Sequence, residues 1–382
     1  MTNTHSIEVF APGEFIRDEL EARGWTQADL AGIMNRPIQL VNLIIGGKKA
    51  ITAQTAQELG AAFGTGPEVW MNLQSAYSLS MATGSQEDIA ARASLYQFAP
   101  VKVMESRGWI AKTATIAELK KELARFYGTS KLDSLPPLRI AARTSAEPIG
   151  DAGAAQTCWG YRVKQLAMSL HVAEFSKDKL RSGIPNLRRL ATCPEEARKV
   201  PRVLAEMGIR FVVVEHLPKS KIDGAVMSIG HSPAIGLSLR YDRIDYFWHT
   251  LIHELDHLLH DEPIMDVNMD GVIDDPETAA VEARADSEAA NMLIPREQLN
   301  SFITRVGPLY SKDRINRFAN RIGIHPGIIV GQLQYRKEIP YSANREMLAQ
   351  VREIVIQEAL TDGWGKTVGT WIGETRNANK ED

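Results

Sequence analysis

Two histidines and a glutamate, His253, Glu254 and His257, stand in the order H-E-x-x-H within the segment YFWHTLIHELDHLLH. Side chains four residues apart lie on one face of a helix, so both imidazoles can reach a single metal ion. The glutamate after the first histidine projects close to that metal, where it can deprotonate a bound water. About 25 residues past His257, in VEARADSEAANMLIP, Glu282 and Asp286 again stand one helical turn apart. Glu282 fits as a third ligand, with Asp286 behind it as a carboxylate that orients a ligand histidine. Two histidines, a glutamate and a water form the ligand set of catalytic zinc in hydrolases. His249 and His260 flank the pair and read as supporting or solvent residues, and Asp256 reads as solvent-facing.

Those residues need two helices and a small sheet to hold them. Phe247, Leu251, Leu255, Leu258 and Leu259 recur at spacings of three and four, which predicts a helix with a buried stripe. Pro295 bounds the second helix. Upstream, the β-branched run Ile209 to Glu215 reads as a strand, with Ala225 to Ile229 and Ala234 to Leu239 as its partners. Such a sheet can take an extended peptide as an added edge strand and present its carbonyls to the metal. From about Pro233 to Pro295 the chain resembles the ImmA/IrrE metallopeptidases, whose pattern joins HExxH to E-x-x-A-[ND]-x-x-A-A-x-x-x-x-P. Here Glu282, Ala285, Asp286, Ala289, Ala290 and Pro295 occupy that second pattern. The resemblance implies an α+β, zincin-like domain with zinc on His253, His257 and Glu282 and with Glu254 as general base. It also implies a regulatory, repressor-like protein as substrate, cut in a stress or phage response. Glu288 departs from the pattern, where the family carries an apolar residue.

Nearer the N-terminus, TQADLAGIM opens with a threonine, Thr26, suited to cap a helix. An Asn35-Arg36-Pro37 turn and the run Ile38 to Ile45 come next, followed by Gly46-Gly47. This is the layout of a helix-turn-helix. With Pro12-Gly13-Glu14, the stretch Gly47 to Thr52, and Phe63 through Tyr77, residues 8 to 79 resemble HigA-type antitoxin domains of the XRE class. The resemblance implies an all-α domain with Ile38 to Ile45 in the major groove of operator DNA. Gln27, Arg36, Gln39, Asn42, Lys48 and Lys49 are then the candidate DNA contacts. The charge argues otherwise: residues 1 to 80 hold five basic and eight acidic side chains, a net of −3. Phosphate neutralisation supplies most non-specific DNA affinity, so an acidic module starts at a deficit. The alternative is a dimerisation or protein-docking module, with Ile38, Leu40 and Leu43 exposed.

Between Asp266 and Glu277 the chain also matches the EF-hand loop. Asp266, Asn268, Asp270 and Asp274 supply oxygens, the Val272 carbonyl takes the seventh position, Gly271 the turn and Glu277 the twelfth position. It is either a calcium site bracing the two metal-bearing helices or an acidic surface loop. Ile116 to Tyr127 reads as an amphipathic helix ended by Gly128, residues 128 to 157 as a linker, and Val163 to Phe175 and Pro194 to Met207 as helices. Past Pro295, Arg314 to Leu333 has a second helix-turn-helix outline. His325, at a helix start there, is either a transition-state stabiliser or structural. The tail from Arg376 reads as disordered.

At 382 residues the chain should hold several domains, and 44% apolar content supports a sizeable core. The boundaries expected are 1–80 for the helix-turn-helix, 81–200 for a mainly helical connector, 201–300 for the peptidase core and 301–382 for a helical segment packed on it. Cys158 and Cys193 form no disulfide framework. The start lacks a signal peptide and no apolar stretch nears the roughly 18 residues of a membrane span, so a cytoplasmic protein is expected. The main expectation is a zinc endopeptidase fused to an antitoxin-like regulatory domain, acting on a protein substrate, with operator DNA and a second copy of the chain as partners. The alternatives are a DNA-binding regulator whose peptidase fold is a sensor, and a non-proteolytic interaction protein.

Overall fold

The computed structural model describes residues 10–82, 86–130, 132, 140–144, 152–260 and 276–366. They divide into two compact units that part after Ile89.

The first unit is all helix: α1 (Pro12–Arg23), α2 (Gln27–Ile33), α3 (Ile38–Ile45), α4 (Ala53–Phe63) and α5 (Pro67–Met81). Thr26 and Asp29 form a reciprocal capping box on α2, satisfying backbone donors that the first turn leaves open. Ile16, Leu30, Val41, Ile44, Leu59 and Trp70 form the core, and the Trp70 indole N–H donates to Thr65 Oγ1 at 2.8 Å. Leu40, expected on the surface, is half-buried and packs against this core.

The division falls within α6 (Gln86–Phe98), and the second unit goes on through α7 (Val101–Ser106) and α8 (Ile116–Tyr127), then β1 (Ile140–Thr144) and α9 (Ala152–Met168). After α10 (Lys177–Leu190) and α11 (Val200–Glu206) come β2 (Arg210–Val214), β3 (Ile222–Ile229) and β4 (Ser232–Leu237). The last part holds α12 (Ile244–His260), α13 (Pro276–Leu293), α14 (Arg296–Val306), α15 (Lys312–Ile322), α16 (Pro326–Tyr335), α17 (Arg352–Val355) and β5 (Leu360–Asp362). Buried side chains from the stretch expected as a connector, 81–200, join this unit's cores, among them Leu95, Trp109, Leu123, Trp159 and Leu187. The linker expected at 128–157 contains β1 and the start of α9, and that helix ends at Met168 rather than Phe175.

One mixed sheet runs in the order β1-β3-β4-β2-β5. β3 pairs antiparallel with both β1 and β4, whereas β2 runs parallel to β4 and β5. Alternate residues of a strand face opposite sides, and both sides here are apolar. Val212, Val214, Ala225 and Met227 join Trp159 and Val163 of α9 in one core. Phe211, Val213, Val226 and Ile235 join Phe247, Leu251 and Leu255 of α12 in the other. The sheet is thus covered on both faces, and α12 lies buried against one of them.

β5 was missed in the sequence, because three residues carry no periodicity. Its Asp362 accepts from Arg162 Nε at 2.7 Å and from the Trp109 indole N–H at 3.1 Å, all three buried. The pair ties the end of the described chain to α9. Removing one member of a buried ion pair strands the other charge. Asp362→Ala should therefore lose about 3–5 kcal/mol in urea unfolding of the full chain. The apolar double variant Arg162→Met/Asp362→Leu should recover most of that loss, and an unchanged midpoint in Asp362→Ala would refute the role given to the pair.

Candidate functional site

His253, Glu254, Asp256 and His257 are all buried on α12. α13 packs along it and brings up Glu282. His253 Nε2 lies 3.1 Å from Glu282 Oε2 and 3.1 Å from His257 Nε2, and His257 Nε2 lies 3.4 Å from Glu282 Oε1. The three residues form a group able to hold a metal ion, their ligand atoms all within 4.8 Å of one another.

The donor chemistry fits a zinc ion. Bonds of about 2.1 Å at tetrahedral angles place ligand atoms about 3.4 Å apart, close to the separations found. Asp286 Oδ1 lies 2.9 Å from His253 Nδ1. A carboxylate only accepts, so Nδ1 carries a proton, and Nε2 faces the Glu282 carboxylate at 3.1 Å. That contact calls for positive charge at Nε2, carried by a ring proton or by a metal ion in its place. Burial opposes charge on the His253 ring, but hydrogen bonds to Asp286 and Glu282 and the nearby Glu254 outweigh it, holding the ring's pKa up at about 9. The site favours a cation.

Glu254 lies against the sheet. A methyl group added at Gly224 of β3 would stand 2.8 Å from Glu254 Oε1, 2.8 Å from Thr250 Cγ2 and 2.9 Å from Leu237 Cδ2. Only glycine leaves room there for the carboxylate between strand and helix. The sequence offered one faint signal of it, the Asp-Gly pair opening a β-branched run. β3 is also an interior strand, between β1 and β4, so the strand beside Glu254 is not an edge of the sheet.

Asp256 corrects its expectation. It is fully buried, and its Oδ2 pairs with Arg284 of α13 at 2.9 Å. The HExxH spacing reveals only the metal-facing side of the helix; the other side meets α13, and Arg284 had no signature in sequence. His249, one turn before His253, places Nε2 3.2 Å from Asp286 Oδ1, while His260 is exposed and turns Nδ1 to the Asp256 carbonyl at 3.0 Å. A cavity of about 680 Å³ adjoins Glu282, Asp286 and His249. His325 is not among its lining residues. It caps α16, its Nδ1 accepting from the Gly327 N–H at 3.1 Å, and burial lowers its pKa against an opposing pull from Glu195. Asp266, Asn268, Asp270, Val272 and Asp274 lie outside the described residues, as does the Glu277 side chain.

In the first unit, α3 leaves Gln39 and Asn42 exposed beside Ile38 and Leu43. Lys48 and Lys49 are exposed after it, and Gln27 is half-buried at the start of α2. Arg36 forms a two-pronged contact with Glu58 of α4, down to 2.7 Å, and the guanidinium holds the Glu58 carboxyl below its usual range. That charge is taken up within the unit, which leaves the two lysines as the basic groups on offer among the six candidates.

No family model matches the chain. It is similar to virulence-associated protein I of Dichelobacter nodosus, 35% identical over 79 residues that make up 20% of this chain and 73% of that protein. The HTH-type transcriptional regulator YddM of Escherichia coli (strain K12) is 31% identical over 71 residues, 19% of this chain and 76% of that protein. Among solved structures, a HigA-family addiction module antidote protein from Coxiella burnetii is 39% identical, with 20% of this chain and 84% of that one covered and a TM-score of 0.19. PA4674 of Pseudomonas aeruginosa, solved with its 18-bp operator DNA, is 38% identical over 20% of this chain and 82% of that one, with a TM-score of 0.20. At 35% and 31% identity over most of each relative's length, the N-terminal part of this chain belongs to the helix-turn-helix regulators of the XRE type, with a HigA-like antitoxin domain.

Proposed function

We propose that this protein is a DNA-binding regulator of the HigA-like class joined to a zinc-dependent peptidase of the ImmA/IrrE type. The observation that carries the peptidase half is the convergence of His253, His257 and Glu282 around one point. The regulator half rests on the N-terminal relatives, one of which was solved on its operator.

His253, His257 and Glu282 would hold the zinc, with Asp286 fixing the tautomer of His253. Bound there, zinc would polarise a scissile carbonyl and acidify water. Glu254, buried between α12 and β3, takes the proton of the attacking water and passes it to the leaving amine. The substrate class is a repressor-like protein. In the first unit Gln39 and Asn42 present amide groups suited to base edges, while Lys48 and Lys49 meet phosphates. A second reading follows from the same relatives: a regulator whose zinc domain senses rather than cuts. A soluble, intracellular setting suits either reading, and no helix of the described residues is long and apolar enough to cross a membrane.

The purified full chain should carry one equivalent of zinc by atomic absorption, and His253→Ala should carry almost none; a zinc-free wild type overturns both readings. Glu254→Gln should keep its zinc yet abolish cleavage of cellular proteins seen with wild type by N-terminal proteomics. If the two proteomes are identical, the peptidase reading falls and the sensor reading stands. In salt titrations on DNA from upstream of its own coding sequence, Asn42→Ala should cost about 1–3 kcal/mol of specific binding. Lys48→Ala should instead lower the salt slope by about one. Absence of any binding at low salt would refute the DNA role of this unit.

A further inference from the structure

We infer that His249 is a positioning residue for the metal centre, acting through Asp286 on the ligand His253. This rests on the metal reading above. His249 Nε2 and His253 Nδ1 approach the same oxygen, Asp286 Oδ1, at 3.2 and 2.9 Å. Both rings stand on α12 one helical turn apart, so their separation is set by a rigid element. The acceptor stands on α13. An ionised carboxylate accepts from both N–H groups, which fixes Oδ1 in two directions instead of one.

That second bond has a physical reason. The His253 side chain is 1% exposed, but that of Asp286 is 34% exposed and borders the cavity, where water competes for its oxygens. Without the bond from His249 the carboxylate is held less firmly against that water, and the His253 ring can turn with it. His249, 23% exposed and lining the same cavity, stands on the wet side and closes this escape. His253 Nε2 then stays aimed between Glu282 and His257. His249 is not one of the three residues grouped to hold the ion; it acts on the tautomer and angle of His253.

The test is zinc affinity of the full chain, read by competition with a chromophoric chelator. Outer-shell partners of ligand histidines are worth about 10–100-fold in metal affinity, and a residue one bond further out should give roughly three- to tenfold. His249→Phe keeps an aromatic ring and removes the donor, so it should weaken zinc by that factor. His249→Gln, which retains an N–H, should stay within about twofold of wild type. In an Asp286→Ala background His249→Phe should add nothing, since the two act through one oxygen. Unchanged affinity in His249→Phe, or the same loss with and without Asp286, overturns the inference. Wild type lacking zinc would instead remove the metal reading beneath it, a result visible before any His249 variant is made.

Discussion

His253, Glu254, Asp256 and His257 are carried by α12 into the interior beside the sheet, and the second unit answers that constraint. Charges and imidazoles taken out of water must be met by partners or the helix cannot stay there. α13 supplies them in order: Glu282 faces His253 and His257, Arg284 meets Asp256, and Asp286 receives His253 and His249. The same contacts that make burial tolerable also assemble the metal ligands. Stability and the proposed metal chemistry thus draw on one interface.

The sheet plays its part through shape. Gly224 of β3 leaves space for Glu254 on one face, and Gly236 of β4 lies against Trp159 and Val163 on the other. Two strands of the same hairpin thus admit close approach of helices from opposite sides. The sheet is completed from distant parts of the chain, β1 at one edge and β5 at the other. The latter is fastened by the buried Arg162–Asp362 pair, while Leu299, Phe318, Ile329 and Val355, beyond α13, join the core that holds α12.

The first unit works by different physics. Its core is a small apolar cluster, its caps are local, and its acidic balance leaves little long-range attraction for phosphate. With Arg36 engaged by Glu58, recognition of DNA would depend on short-range groups on and just after α3 more than on steering. Ile38 and Leu43, both about 40% exposed, lend that surface an apolar character as well.

What the sequence determined by itself is what period and local chemistry carry. Four-residue spacing set His253 and His257 on one face and Glu282 with Asp286 on another, and the cap at Thr26 marked the start of α2. The strand β2 was legible as a β-branched run, and β3 and β4 as short apolar stretches that could pair with it. Tertiary structure decided the rest: that Asp256 is buried on Arg284, that Leu40 turns inward, that a supposed linker holds an edge strand, and that His249 reaches Asp286. None of these has a local signature. Periodicity says which side chains share a face of their own element, but which element that face meets depends on packing between segments dozens of residues apart.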